Sequence, residues 1–278
     1  MNEPFKHHSD SRLILKEWAE LSPGLIAGFT TKNGGISNGP FRTNNLGLHV
    51  SDNTEDVAAN RMQLAEELGF PLSKWACADQ VHQDQIVKIT EKLTGFGTTN
   101  YDESIKGTDA FYTNKKNILL TLCYADCVPV YFYAPEQGFA GIAHAGWKGT
   151  VKNISGKMVQ LWEMTENIPA SSIHAAIGPS IDSCCYIVDD RVVTQVDEAL
   201  ENCPAKSTAP YEKVSEGQYR LDLKTVNKLL LLQAGVREEN IHVSTYCTSC
   251  QDDLFFSHRR DKGKTGRMLS FIGVKDEQ

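Results

Sequence analysis

A carboxylate, a thiol and an imidazole interrupt the apolar stretch 119–145 of the sequence. Asp126 and Cys127 lie between two apolar runs, and His144 ends a third run just before Gly146. Polar side chains beside turns on a rigid scaffold are typical of binding and reactive residues. Three protein ligands of cysteine and histidine type, with a fourth position open to solvent, are the pattern of catalytic zinc. These residues are therefore candidates for metal-dependent chemistry.

The same residues allow other interpretations. Cys127 could be a buried, unreactive thiol, and His144 a hydrogen-bonded structural histidine. In a cysteine hydrolase or amidase, Cys127 would be the nucleophile and His144 its general base. In a protein without enzymatic activity, a metal ion would only hold strands together. Local spacing does not decide among these readings, because ligands from distant positions of the chain leave no short signature.

Three more polar residues have unusual predicted positions. In a strand predicted over 78–90, Gln80 and His82 share one face, because side chains alternate along a strand. A lone histidine there is more often structural than a metal ligand. In a helix predicted over 52–69, Arg61 falls inside the apolar stripe. An inward-facing guanidinium needs an anionic partner, since it keeps its charge; a snorkelling side chain at the edge of the stripe is the alternative.

A C-x-x-C motif and a basic run complete the candidates. Cys247 and Cys250 form the motif, but a structural zinc site would need a second pair, and Cys184–Cys185 has the wrong spacing. We therefore expect ordinary reduced thiols, with a redox role as the alternative. The segment 255–267, FFSHRRDKGKTGR, combines aromatic and basic residues in an acidic chain and indicates an anion site, most of all at Arg259–Arg260.

Strands and helices alternate along the chain, with hairpin-like segments between them. Strands are predicted over 24–31, 78–90, 107–114, 117–135 (two strands with a turn near 125–129), 138–146, the start of 172–188, 241–247 and 267–274. Helices are predicted over 52–69, 150–165, 189–200 and 222–236. The polar residues 200–220 suggest a surface loop. This order predicts an α/β (mixed α+β) fold with mixed sheets.

Length and charge exclude several classes of function. The chain has 278 residues, enough for one domain with a substantial core, and we predict a single domain over 1–278 with 1–20 as a less certain extension. The net charge of -7 argues against broad binding to nucleic acid or an anionic membrane. The N-terminus lacks a signal-like apolar region, so we expect a cytoplasmic protein with reduced cysteines. We expect small-molecule substrates and a monomer or homodimer.

Seven short motifs follow one another along nearly the whole chain, from about residue 25 to the end. They are NLGLHVSD, NRMQL, QVHQ, ADCVPV, AHAGWKG, AIGPSI and FFSHRRDKGKTGRMLSFI. As a set they are highly specific. With them the chain resembles the laccase-domain family, also described as YfiH/YlmD-type or multicopper polyphenol oxidase-like, and most of all its bacterial YlmD-like branch. Members of this family are purine nucleoside-processing enzymes.

The resemblance implies sheets sandwiched between helices, similar to the catalytic domain of a deamidating bacterial toxin. It implies one zinc ion held by His82, Cys127 and His144, with copper as an alternative ion because copper binds such sites more tightly. These three residues, with Asp126, are then the expected catalytic residues. The resemblance also implies residues that line the pocket, namely Asn45, Arg61, Gln80 and Arg259.

The implied activity is phosphorolysis of adenosine, inosine, guanosine and 5′-methylthioadenosine, with hydrolytic deamination of adenosine. In that chemistry Arg61 and Arg259 would hold phosphate, and Asp126 would transfer a proton to the leaving ammonia. A true multicopper mechanism lacks its ligands here, because the chain has 8 histidines and no H-x-H pair. A single-copper polyphenol oxidase remains an alternative.

Overall fold

The computed structural model describes residues 3–203 and 209–276. The strands of these residues, β1 to β15 in chain order, are Phe5–Ser9, Arg12–Leu15, Leu25–Thr30, Trp75–Cys77, Ile86–Lys88, Ala110–Thr113, Leu119–Tyr124, Val128–Ala134, Phe139–Ala145, His174–Ile177, Ile187–Val188, Tyr211–Ser215, Gln218–Leu221, Ile241–Val243 and Met268–Val274. The α-helices, α1 to α5, are Thr54–Leu68, Trp147–Val151, Ile154–Glu166, Asp190–Ala199 and Leu223–Gln233. Within the described residues, every helix is too short or too polar to cross a bilayer.

Two six-stranded mixed sheets form the centre of the fold. The first has the strand order β1-β2-β3-β15-β7-β4, and the second has the order β14-β10-β8-β9-β6-β5. Both are mainly antiparallel, with parallel pairs at their edges, such as β4 with β7 and β5 with β6. Strands β11, β13 and β12 form a small third sheet. The predicted mixed α+β class is confirmed.

The sheets pack face to face between two layers of helices. Alternation along the strands explains the layers: Leu120 and Leu122 of β7 point into the core between the sheets, whereas Leu119 packs with helix α1. In β8, Tyr131 faces the same central core, and Phe132 faces the helices α3 and α5. Strands that are apolar on both faces are therefore covered on both sides.

The chain passes from the first sheet to the second at the turn between β7 and β8. The sequence predicts this turn correctly, and the two strands that flank it belong to different sheets. Strand β8 then pairs antiparallel with β9, so that Pro129 lies opposite His144. This register brings the turn residues Asp126 and Cys127 next to the end of β9.

The strand predicted over 78–90 is wrong for most of its length. Only Ile86–Lys88 is a strand, and residues 78–85 form a loop. Gln80 and His82 therefore share no strand face, and His82 has a left-handed backbone with φ of 58°. Polar side chains dominate this segment, so it has no apolar face to bury in a sheet.

The predicted helix over 52–69 is confirmed as Thr54–Leu68. Asn53 caps its start, because its side-chain oxygen accepts the N–H of Glu55 at 2.7 Å. Gly69 ends the helix in the left-handed conformation, with φ of 63°. These caps fix the helical register and thereby the inward direction of its buried polar side chains.

Two other predictions differ from the structure. The helix predicted over 150–165 is divided into α2 and α3, because Asn153 is left-handed and accepts the N–H of Gly156 at 3.0 Å to cap α3. The predicted surface loop over 200–220 contains the hairpin of β12 and β13. Part of that prediction, residues 204–208, lies outside the described residues.

Candidate metal centre

One cysteine and two histidines from three separate segments converge. The possible ligand atoms of His82, Cys127 and His144 lie within 4.8 Å of one another. The two imidazole rings are 4.7 Å apart between centroids and nearly perpendicular, at 77°. Zinc bonds of about 2.0 Å to nitrogen and 2.3 Å to sulfur place tetrahedral ligand atoms roughly 3.5 Å apart. The three side chains can therefore share one small cation.

Asp109 orients both histidines from behind. This fully buried carboxylate lies 2.9 Å from His144 Nδ1. It also accepts the backbone N–H groups of Val81 at 3.3 Å, His82 at 3.0 Å and Gln83 at 2.8 Å. With Nδ1 occupied in this way, Nε2 of His144 is the nitrogen free for a metal. Nothing in the local sequence pattern singles out Asp109, beyond its place immediately before an apolar strand.

The thiol and the imidazole shift each other's ionisation. Burial acts to raise the pKa of Cys127, but the charge of His144 and hydrogen bonds from His144 and His82 outweigh it and lower the pKa to about 6. Burial acts to lower the pKa of His144, but Cys127 and Asp109 raise it to about 9. The directions of these two shifts favour a thiolate at Cys127 and an imidazolium at His144 in the metal-free pair. A cation that displaces the imidazolium proton meets a thiolate that is already formed.

Gly146 leaves room for the three side chains to meet. A Cβ atom at this position would lie 3.1 Å from Cys127 Sγ and 3.2 Å from His82 Cδ2. The start of helix α2 therefore runs directly against two of the candidate ligands. The donor set and this close approach fit a single metal ion.

A cavity of about 370 Å³ opens beside the three side chains. Its size is within the range of small-molecule sites, about 300–1,000 Å³. Gln80, Asp126 and Arg259 are among the predicted residues that line it. Lining residues that the sequence pattern does not indicate as site residues include His49, Tyr101, Trp147, Tyr186 and Arg267.

Arg61 is not among the residues that line this cavity, and its predicted role in the site stays a prediction. Its Nε donates to the carbonyl of Leu46 at 2.8 Å, and its Nη1 donates to the carbonyls of Gly97 at 2.7 Å and Thr98 at 3.0 Å. Peptide carbonyls, rather than the predicted anion, thus accept most of the hydrogen bonds that the buried guanidinium donates. It lines a small adjoining void of about 10 Å³, which shares His49, Gln80, Tyr101 and Cys123 with the cavity.

Asn45 also lies outside the cavity and supports its wall from behind. The side chain is fully buried. Its Oδ1 accepts the backbone N–H groups of Gly47 at 3.0 Å and Arg267 at 2.8 Å, and its Nδ2 donates to Asp52 at 2.9 Å. Asn45 thus holds the backbone of Arg267 in place, and its predicted contact with a substrate stays a prediction.

Gln80 and Arg259 line the cavity in different ways. The Gln80 amide donates to the carbonyl of Cys123 at 2.9 Å and accepts its N–H at 2.7 Å, which fixes the end of β7. Arg259 is exposed at the mouth, and its guanidinium lies 5.0 Å from the centre of the Tyr186 ring. Its Nη1 donates to the carbonyl of Ile187 at 3.1 Å. Gln80 thus builds the wall, whereas Arg259 can reach an entering anion.

His49 supplies a neutral polar group on another wall. Burial lowers its pKa to about 4, and the charges of Arg267, Arg61 and His144 add to the effect. Its ring lies 5.5 Å from that of Tyr101. At neutral pH this imidazole can donate or accept a hydrogen bond without carrying charge.

Asp126 is held by three donors. Its Oδ1 accepts from the Thr248 hydroxyl at 2.7 Å, and its Oδ2 accepts from the Ser257 hydroxyl at 3.0 Å and the Arg259 N–H at 2.7 Å. Its backbone is left-handed, with φ of 87°. The carboxylate therefore joins the β7–β8 turn to the segment that carries Arg259, whatever its part in proton transfer.

Replacing Asp126 by asparagine is expected to destabilise the protein by about 1–3 kcal/mol, because an amide NH₂ would face a buried donor. Denaturant unfolding monitored by fluorescence would measure this. Asp79→Asn is the matched control, since that half-buried carboxylate accepts from the Tyr101 hydroxyl; its substitution should destabilise the protein less. An Asp126→Asn variant as stable as the wild type would show that the three contacts contribute little.

Known proteins match this chain along nearly its whole length. A family model described as multi-copper polyphenol oxidoreductase laccase matches residues 26–275. Purine nucleoside phosphorylase YlmD of Geobacillus stearothermophilus is 52% identical over 254 residues, which are 91% of this chain and 92% of that protein. Purine nucleoside phosphorylase YlmD of Bacillus subtilis is 46% identical over 276 residues, which are 98% of each. The crystal structure of YlmD from Geobacillus stearothermophilus has a TM-score of 0.94 and 49% identity, covering 99% of this chain and 100% of that one.

Proposed function

This chain belongs to the family described as multi-copper polyphenol oxidoreductase laccase, and on that premise we propose that its cavity catalyses metal-dependent phosphorolysis of purine nucleosides. The observation that carries the proposal is the convergence of His82, Cys127 and His144 beside a cavity of suitable size. Relatives named purine nucleoside phosphorylase support it. The proposed substrates are adenosine, inosine, guanosine and 5′-methylthioadenosine.

We propose zinc as the ion. Two imidazole nitrogens and one thiolate, with an open position toward the cavity, are the donor set of catalytic zinc. When bound there, zinc would supply a Lewis acid that stabilises developing negative charge. Copper binds such donors more tightly, so the ion present after expression must be measured.

Arg267 and Arg259 are the proposed phosphate-binding residues, because both line the cavity. Burial lowers the pKa of the Arg267 guanidinium, and a poorly solvated cation gains by pairing with an anion. Its Nη1 donates to the carbonyls of Thr265 at 2.8 Å and Gly266 at 3.0 Å, which orients the group. The proposed phosphate role moves from Arg61 to Arg267, because Arg267 lines the cavity and Arg61 does not.

Trp147 and Tyr186 are proposed to hold the purine. Both line the cavity, and flat aromatic rings stack on nucleobases. The neutral imidazole of His49 can hydrogen bond to the base or the ribose. With the purine and the phosphate held in one cavity, a phosphate oxygen can bond to C1′ as the bond from C1′ to the purine nitrogen breaks.

The proposal is tested with purified protein and inosine, with and without phosphate. We expect hypoxanthine and ribose 1-phosphate, in equal amounts and only with phosphate. Free ribose formed equally in both reactions would indicate hydrolysis instead. No turnover of any of the four nucleosides by metal-loaded protein would contradict the proposed function.

Replacing Arg267 by alanine is expected to raise the KM for phosphate by about 10–100-fold, because charge-assisted hydrogen bonds contribute about 1.5–3 kcal/mol. Inosine phosphorolysis at varied phosphate concentration measures this. Lys264→Ala is the matched control, because Lys264 is exposed in the same basic segment and lies outside the cavity. An unchanged KM for phosphate in the Arg267 variant would remove this residue from the phosphate site.

We also propose hydrolytic deamination of adenosine at the same centre. Water would add at C6, and ammonia would leave with a proton, for which Asp126 remains the candidate carrier. Adenosine incubated without phosphate should give inosine and ammonia. An Asp126→Asn variant that keeps phosphorolysis and loses deamination would support the proton-transfer role; equal losses in both would favour a purely positioning role.

A metal-independent cysteine hydrolase is the second candidate, and one observation favours it. Cys127, His144 and Asp109 are arranged as nucleophile, base and orienting acid, with 2.9 Å between His144 Nδ1 and Asp109. This mechanism needs neither His82 nor a metal ion. It predicts activity that survives a chelator and is abolished when iodoacetamide alkylates Cys127.

A copper-dependent polyphenol oxidase is the other alternative that the family description keeps open. It predicts oxygen uptake with phenols that depends on added copper. Among residues 3–203 and 209–276, two groups could hold a metal ion, and one of them contains histidine. A multicopper mechanism needs several histidine-rich centres, so at most a single-copper form is compatible with these residues.

A further inference from the structure

Four cysteines converge at a second place, away from the cavity. The sulfurs of Cys184, Cys185, Cys247 and Cys250 all lie within 4.8 Å of one another. Cys250 Sγ is 3.4 Å from Cys184 Sγ and 3.3 Å from Cys185 Sγ. Cys184 Sγ is 3.7 Å from the sulfurs of Cys185 and Cys247. None of the four forms a disulfide.

These distances match one coordination geometry. Four sulfurs at about 2.3 Å from a tetrahedral zinc ion are about 3.8 Å apart. A disulfide would need about 2.05 Å. We propose that Cys184, Cys185, Cys247 and Cys250 form a structural zinc site. This proposal replaces the expectation of ordinary thiols. The second pair, Cys184 and Cys185, is adjacent in sequence, and the turn that carries it brings both sulfurs close to those of Cys247 and Cys250.

The backbone around the cluster is already ordered for such a site. Cys247 forms an isolated parallel bridge with Ser180, and the N–H of Thr248 donates to the carbonyl of Ser180 at 3.0 Å. The N–H of Asp182 points at Cys247 Sγ, at 3.4 Å. Backbone donors directed at a sulfur orient metal ligands and spread their negative charge.

A buried lysine bridges the two segments that carry the cysteines. Lys224 is 3% exposed, and its Nζ donates to Asp182 at 2.8 Å and to the carbonyls of Ser244 at 3.1 Å and Tyr246 at 2.9 Å. Its partners belong to the two segments that carry the cysteines.

The zinc site would support one wall of the cavity without entering it. Tyr186, which lines the cavity, directly follows Cys185. Thr248, which donates to Asp126 at 2.7 Å, directly follows Cys247. A cation shared by the two segments therefore fixes the distance between these wall residues. The inference does not depend on the reaction that the cavity catalyses.

Metal content and cobalt spectroscopy test the site. Protein expressed with zinc should contain two zinc ions per chain by mass spectrometry, and a Cys184→Ser, Cys250→Ser double variant should contain one. Thermal unfolding of the variant should shift down by roughly 5–10 °C. Cys203→Ser is the matched control, because this buried thiol belongs to neither candidate metal site and the serine hydroxyl can still donate to the carbonyl of Leu229. This variant should keep two zinc ions.

Cobalt keeps the inference testable if the double variant does not fold. Wild-type protein loaded with Co²⁺ should show the thiolate-to-cobalt charge-transfer and tetrahedral ligand-field absorption of a four-sulfur site, and should keep it in His82→Ala. Absence of that absorption would overturn the proposal. Equal zinc content in the wild type and the double variant would also overturn it. So would iron in place of zinc, or a disulfide among the four cysteines in protein kept under reducing conditions.

Discussion

Replacing His82 by alanine is expected to lower the rate of inosine phosphorolysis by more than about 100-fold and to remove the metal ion at the cavity. Loss of a residue behind a metal ligand costs about 10–100-fold in affinity or activity, and loss of a ligand itself should cost more. His82 is exposed in a loop, so the fold should be almost unaffected. Steady-state kinetics and metal analysis on the same sample would measure both effects.

This variant separates the metal mechanism from the cysteine hydrolase. A Cys127–His144–Asp109 triad would function without His82, whereas a metal site with two remaining protein ligands would not. Gln85→Ala is the matched control, since its side chain is exposed in the same loop. Activity near the wild-type level in His82→Ala, together with a normal control, would favour the triad.

Replacing Asp109 by asparagine is expected to lower the affinity for zinc by about 10–100-fold, with a parallel loss of activity at limiting zinc. The carboxylate accepts from His144 and from three backbone N–H groups at once. An asparagine offers one acceptor oxygen, and its NH₂ would face a donor. Competition with a chromogenic chelator would measure the affinity, and excess zinc should restore part of the activity.

Asp84→Asn is the control for this prediction. Asp84 lies in the loop that carries His82. It forms ion pairs with Lys152 and Lys157 at the surface rather than with the histidines. Its substitution should change the zinc affinity by less than about 2-fold, because exposed ion pairs contribute little. Equal zinc affinity in the Asp109 variant and the wild type would contradict the role assigned to Asp109.

Much of the framework follows from local sequence patterns. The apolar runs on both sides of Asp126 and Cys127 predict two strands and a turn, because a buried strand cannot carry these groups internally. The helix predicted over 52–69 agrees with α1, whose limits Asn53 and Gly69 set in the structure. The approach of His144 to that turn depends on the antiparallel pairing of β8 with β9, which hairpin-like spacing favours.

Other features depend on contacts between distant positions. The partners of Asp109 lie 26 to 35 residues away along the chain, and Asn45 contacts Arg267 across 222 residues. The pattern around Arg61 predicts burial correctly, but burial does not reveal whether an anion or a peptide carbonyl will satisfy the charge. Besides lacking an apolar face, the stretch 78–85 has its residues 81–83 fixed by Asp109, and that contact leaves no periodic signal.

The four-cysteine cluster illustrates a different reason for a missed prediction. Zinc-site spacing rules describe two separated pairs, each of which bends around the ion. Here one pair is adjacent in sequence, at Cys184–Cys185, and the turn that carries it is fixed by Ser180 and Asp182. Tertiary contacts, rather than ligand spacing, bring these sulfurs together.

Zinc-dependent turnover tests the central claim most directly. Protein should be stripped with a chelator, shown by mass spectrometry to lack metal, and assayed with inosine and phosphate before and after one measured addition of zinc. We predict no ribose 1-phosphate from the stripped protein and restored production after zinc is added, with no restoration in a His82→Ala, His144→Ala double variant. Full activity of the stripped protein, or of the double variant, would contradict a reaction centred on His82, Cys127 and His144 as metal ligands.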